Sequence, residues 1–118
     1  MDRILILDLL VRASIGVDED ERRQKQDVMI NVALSADLSR AVESDRFEDT
    51  VDYREIKKRI VSMAENSNYH LIEALAGAVA AVCLEYPAVA EVQVRVEKPS
   101  ALRFARSVGV EISRKRRG

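Results

Sequence analysis

The chain has 118 residues, 47% of them hydrophobic and 33% charged, with a formal net charge of -1. That is the size of one domain, expected over residues 1–118, with enough apolar content for a core and too much for a disordered chain. The near-even charge balance gives no reason to expect nucleic acid or an anionic membrane as a partner.

The first strand is expected over residues 3–13, rich in Ile, Leu and Val. Its apolar stretch, 4–11, is short and carries Asp8, so it reads neither as a signal peptide nor as a membrane span of about 20 apolar residues. A polar loop follows over 16–26, with Asp18, Glu19, Asp20 and Glu21 inside it. The second strand, 27–35, places Val28, Ile30, Val32 and Leu34 on one face with a period of two. A helix is expected over 53–66, capped by Asp52, with Glu55 completing a capping box and Tyr53, Ile56, Ile60 and Met63 on one stripe. A second helix, 69–86, buries Leu71, Ile72, Leu75, Val79, Val82 and Tyr86, and Pro87 ends it. A third strand, 89–98, alternates Val92, Val94 and Val96 with Glu91, Gln93, Arg95 and Glu97. A fourth, 107–114, alternates Val108, Val110 and Ile112. The closing run Arg114, Lys115, Arg116, Arg117 reads as a solubilising tail.

Strand, strand, helix, helix, strand, strand implies an α+β architecture: an antiparallel four-stranded sheet covered on one face by two helices. The other face, with Asn31, Glu91, Gln93, Arg95, Glu111 and Ser113, is polar and is expected to meet water. Sheet edges left open can be hidden by joining edge to edge in a ring, so a homo-oligomer is expected.

Few residues carry chemistry. Period two places Lys98 next after Val92, Val94 and Val96 on the inward face, at the rim of the core. A partly desolvated lysine there suits acid–base work, and the plain alternative is a snorkelling side chain. Glu73, in the first turns of the second helix, heads the small residues Ala76, Gly77 and Ala80, and a carboxylate so placed can accept two parallel N–H bonds. It is equally readable as an ordinary first-turn glutamate. Tyr53 alone is readable as core, and Glu21 as one acid among several. One His, His70, and one Cys, Cys83, leave no internal disulfide and no zinc site of His and Cys within one chain, which suits a reducing cytoplasm.

Together these residues resemble the dihydroneopterin aldolase family. The resemblance rests on Ile15-Gly16-Val17 with Glu21 and Gln26; on Asp45 followed by Asp49-Thr50-Val51-Asp52-Tyr53; on Leu71-Ile72-Glu73; and on Lys98-Pro99 followed by Val108-Gly109-Val110. It covers almost the full length, in order and at the right spacing. It implies the tunnelling fold, with four subunits closing their sheets into a barrel and two rings stacking into an octamer. It implies a cytoplasmic enzyme of folate biosynthesis that acts on a pterin at sites between subunits, with no metal and no cofactor. It makes Lys98 the catalytic acid/base with Glu21 beside it, and brings Tyr53 from a neighbouring subunit. It sets Glu73, with Ile72 next to it, on the amino edge of the pterin, and has Thr50 and Val51 line the same wall. The stretch 101–108 also looks like the sister family that epimerises dihydroneopterin triphosphate, where Arg103 and Arg106 would serve the phosphates. A reading of another class is a non-catalytic module that binds a small ligand.

Overall fold

The computed structural model describes residues 1–99 and 101–117. In chain order the elements are β1 (Asp2–Ile15), α1 (Glu19–Arg22), β2 (Gln26–Ala36), α2 (Ser39–Ser44), a 3-10 turn (Phe47–Asp49), α3 (Tyr53–Glu65), β3 (Asn68–Tyr69), α4 (Ile72–Leu84), β4 (Glu91–Pro99) and β5 (Ser107–Lys115).

Alternation builds the sheet. Val28, Ile30, Val32 and Leu34 of β2 and Val92, Val94 and Val96 of β4 are all buried on one face, since successive strand residues point to opposite sides. β1 pairs antiparallel with β2, β2 with β4, and β4 with β5. In β1 the alternation is interrupted by a bulge between Ile6 and Leu9. Asp8 sits there in the left-handed region (φ 53), and its N–H donates to Asn31 Oδ1 at 2.8 Å. The extra residue lets Ile4 and Ile6 before it, and Leu9, Val11, Ala13 and Ile15 after it, all face the core.

The expected four-stranded antiparallel sheet is a five-stranded mixed sheet in the order β3-β1-β2-β4-β5. Tyr69, read as the first residue of the second helix, pairs with Asn68 before it as a short strand, parallel with Ser14 and Ile15. The helix begins only at Ile72, after Leu71 in extended conformation. The Gly16 N–H donates to the Tyr69 carbonyl at 3.2 Å and extends that pairing. Two residues carry no periodicity by which a strand is recognised. Similarly α1, a single turn, occupies the segment read as loop.

α3 lies over β1, and α4 over β4 and β5. Ile56, Ile60 and Ala64 of α3 and Leu75, Ala76, Val79, Ala80 and Cys83 of α4 close the core. Each fully buried Ile, Leu or Val stabilises the fold by about 1.5–3 kcal/mol relative to exposure. The core is aliphatic throughout, and all five aromatic side chains stand outside it. Leu71, expected on the buried side, is 47% exposed, because it precedes the helix and escapes its periodicity. Asp52 caps α3 as expected, accepting the Glu55 N–H at 3.0 Å. Glu55 does not complete a box; its carboxylate accepts the Tyr86 hydroxyl at 2.6 Å. The supposed tail is partly structural. Arg114 and Lys115 belong to β5, and Arg116 donates to the carbonyls of Leu84, Tyr86 and Val89 at 2.5, 2.7 and 3.1 Å. The outer face of the sheet is polar over β2, β4 and β5 but carries exposed Leu5, Leu7 and Leu10 on β1. No helix among the described residues is long and apolar enough to cross a membrane.

Candidate active site

Lys98 is the eighth residue of β4 and continues the buried Val92, Val94, Val96 face. Its side chain is 14% exposed, and its ammonium lies 3.3 Å from Glu21 Oε2. The two residues are 77 apart in sequence, so the pairing is a product of the fold. Glu21 is delivered by the segment between β1 and β2. Its Oε1 accepts the Asp18 N–H at 3.3 Å. That main-chain bond, followed by the Lys98 ammonium, holds the Glu21 carboxyl below the usual carboxylate range.

The segment is tightly bound to itself. Gly16 has φ 157, in a region that favours glycine, and a Cβ there would come within 2.4 Å of Glu21 Cβ. The stem of Glu21 therefore rests on the bare Gly16 backbone. Arg22 Nη1 donates to the carbonyls of Gly16 and Val17 at 2.9 and 3.0 Å. Gln26 Nε2 donates to those of Ile15 and Glu21 at 2.6 and 3.1 Å. Sequence periodicity offers no signal for Arg22, since its partners are carbonyls.

Glu73 is the second residue of α4 and is exposed at the helix start. Ile72 beside it is nearly buried at 9% exposure. The row of small residues after Glu73 is not an open platform. Ala76 and Ala80 are buried, which lets α4 approach the sheet closely, and only Gly77 has open space where a Cβ would stand.

Tyr53 is the first residue of α3 and is 45% exposed, not core. Its N–H donates to the Val51 carbonyl at 2.8 Å. Val51 is buried and Thr50 half-buried. Among the described residues no hydrogen bond or ion pair joins Thr50, Val51 or Tyr53 to Lys98, Glu21 or Glu73. One chain thus brings together Lys98 and Glu21, and presents Glu73 and the Thr50–Tyr53 corner as separate groups. A cleft on the outer sheet face, lined by Arg3, Leu5, Leu7, Asn31, Arg95 and Glu111 among others, lies across the sheet from the Lys98 side chain.

Of the two loop arginines, Arg106 is turned onto Glu97 at 3.3 Å. Glu97 precedes Lys98 and so points to the opposite face. The Arg103 guanidinium stacks on the ring of Phe104, 5.3 Å from its centroid. His70 is exposed, and Cys83 is buried with its thiol pushed up to about 12 by desolvation. No three His, Cys, Asp or Glu side chains among the described residues gather as a metal-binding group.

The FolB dihydroneopterin aldolase family model matches residues 4–113, nearly the whole chain. The chain belongs to the dihydroneopterin aldolase family. It is 38% identical over 113 residues to the dihydroneopterin triphosphate 2'-epimerase of Pseudomonas aeruginosa, covering 96% of this chain and 92% of that one. It is 43% identical over 114 residues to the folic acid synthesis protein FOL1 of Dictyostelium discoideum, of which it spans only 17% while 97% of this chain is covered. Among solved structures, the E. coli dihydroneopterin aldolase in complex with neopterin superposes with a TM-score of 0.92 at 32% identity, covering 97% of this chain and 99% of that one.

Proposed function

We propose that this chain is a dihydroneopterin aldolase that cuts 7,8-dihydroneopterin into 6-hydroxymethyl-7,8-dihydropterin and glycolaldehyde. The observation that carries the reading is the Lys98–Glu21 pair, a nearly buried ammonium held 3.3 Å from a carboxylate at a strand end. A retro-aldol cut needs an electron sink, which other aldolases make as a lysine Schiff base or with a metal. The substrate's ring C=N, next to its side chain, supplies that sink. Loss of the 2'-hydroxyl proton breaks the C1'–C2' bond and sends the electron pair into the ring, and protonation at C1' completes the product. Only positioning and proton transfer are then required. Lys98 moves the proton, with Glu21 as its companion. Glu73 and the backbone around Ile72 hold the amino and ring N–H edge of the pterin. Tyr53 arrives from a neighbouring subunit with Thr50 and Val51, consistent with its exposed position here. The working form is a ring of four, stacked as an octamer, in the cytoplasm.

Epimerisation at C2' uses the same bond cleavage followed by re-addition on the other face, and the similarity to the Pseudomonas epimerase favours it as a second activity. Incubation with 7,8-dihydroneopterin tests both. Glycolaldehyde and the hydroxymethyl pterin should appear, and should still appear in EDTA. Formation of the 2'-epimer alone would assign the chain to epimerisation. Loss of both products in EDTA, restored by zinc, would overturn the metal-free mechanism. No product at all from folded protein would leave the non-catalytic module standing.

A further inference from the structure

Glu21 stands on one turn of helix with no buried residue. Such a turn does not hold itself, because nucleating a helix costs more than its first bonds return. The capping box between Asp18 and Glu21 closes its first end, and the rest of its hold comes from side chains that tie it to the neighbouring backbone. Gln26 supplies one on the far side, to Ile15 and Glu21. On the near side, Arg22 donates to two consecutive carbonyls, of Gly16 and Val17. Acidic partners stand close by, yet Glu19 and Asp20 are taken by Arg23 at 3.8 and 3.2 Å, and Arg22 Nη1 is turned onto the main chain. The two carbonyls belong to the stretch of backbone on which the Glu21 stem rests, Gly16 above all. Arg22 thus ties the helix turn that carries Glu21 to the surface that Glu21 lies against.

We propose that Arg22 is a positioning residue for the reaction: its guanidinium latches the Gly16–Val17 backbone to α1 and so holds Glu21 against Lys98. Arg22 touches neither Lys98 nor Glu21's carboxylate, and its effect passes through the loop. Without it, residues 16–18 lose their tie, the Asp18 N–H leaves Glu21 Oε1, and the carboxylate no longer stands 3.3 Å from the ammonium. The catalytic consequence rests on the aldolase or epimerase reading above, whereas the geometric one does not.

The test uses the full-length protein with Arg22→Ala, Arg22→Met and Arg22→Lys. Arg22→Ala and Arg22→Met should lower turnover about 10- to 100-fold, the range a small misplacement of a reacting group produces, with KM little changed. Arg22→Lys, whose ammonium can donate to the same carbonyls but from a shorter side chain, should recover part of it. A carbon-13 titration of the Glu21 carboxyl should give a value below the usual range in the unmodified protein and one returned towards that range in Arg22→Ala. Folded Arg22→Ala and Arg22→Met proteins with normal turnover and an unshifted Glu21 titration would overturn the proposal. So would a rise in KM alone, which would make Arg22 a binding residue. If the unmodified protein makes neither product, the functional reading falls, and the titration still decides the latch. If the Ala and Met variants fail to fold, Arg22→Gln, whose shorter amide cannot span both carbonyls, decides it: full turnover with Glu21 titrating as in the unmodified protein would overturn the proposal.

Discussion

Lys98 owes its position to the pleat of β4, and its ion-pair partner stands 77 positions earlier in the chain. The two halves of the site should separate kinetically. Lys98→Ala should lower turnover by about 100- to 10,000-fold, the usual worth of a general acid–base group, and change pterin affinity less. Glu73→Ala should do the reverse, because a charge-assisted bond contributes about 1.5–3 kcal/mol and two of them weaken binding on the order of a hundredfold or more. Steady-state kinetics and calorimetry with a pterin product analogue check both. Near-normal turnover in Lys98→Ala would leave only a snorkelling lysine. The pH dependence has a definite sign. Glu21 has a lowered pKa in the fold, so the ion pair persists as pH falls through the usual glutamate range and is lost only below it. Lys98 was legible because strand period assigns a face. Glu21 was not distinguishable from Glu19 and Asp20 by pattern, since a loop has no period; only its contact with Lys98 sets it apart.

At the scale of elements, long periodic segments were read well and short ones were not. The strand faces of β2 and β4 and the stripe of α3 follow from period two and period 3.6. β3 and α1 are two and four residues long, below the length at which any period is visible. They flank Glu21 all the same, since α1 carries it and the Tyr69 carbonyl of β3 accepts the Gly16 N–H. The far end of α4 shows the same limit. Arg116 sits where composition suggests a loose tail, yet it donates to the carbonyl of Leu84 at the helix end and to that of Tyr86 just beyond it. Arg116→Ala should therefore destabilise the protein by about 1–2 kcal/mol, read as a lower thermal or urea midpoint. An unchanged midpoint would restore the tail reading.

The whole molecule is elongated, 50 Å by 28 Å by 27 Å, and its sheet ends are open. β3 covers β1 only at Ser14 and Ile15, leaving the rest of that edge unpaired among the described residues, and β5 forms the other edge. Exposed Leu5, Leu7 and Leu10 add an apolar strip to β1. Ring closure would pair these edges and bring the Thr50–Tyr53 corner of one subunit to Lys98 of the next. Mixing Tyr53→Ala with Lys98→Ala protein, after dissociation and reassembly, should then recover part of the activity neither has alone. Activity no greater than the sum of the two would place a complete site in each chain. The expectation of self-association was open to sequence reasoning because edges follow from strand order. The strip of leucines was not, because the bulge at Asp8 breaks the alternation that assigns β1 its faces.

The aliphatic core also fixes how the protein can be watched. With no tryptophan, its intrinsic emission comes from Tyr53, Tyr69 and Tyr86, at the head of α3, in β3 and just past the end of α4. None reports from the centre, where valine and isoleucine do the packing without absorbing light. A fluorescence melt would follow the margin of the core, against which Tyr69 and Tyr86 pack. The same circumstance makes Tyr53 a quiet-background sensor, whose signal should respond to a ring settling beside it.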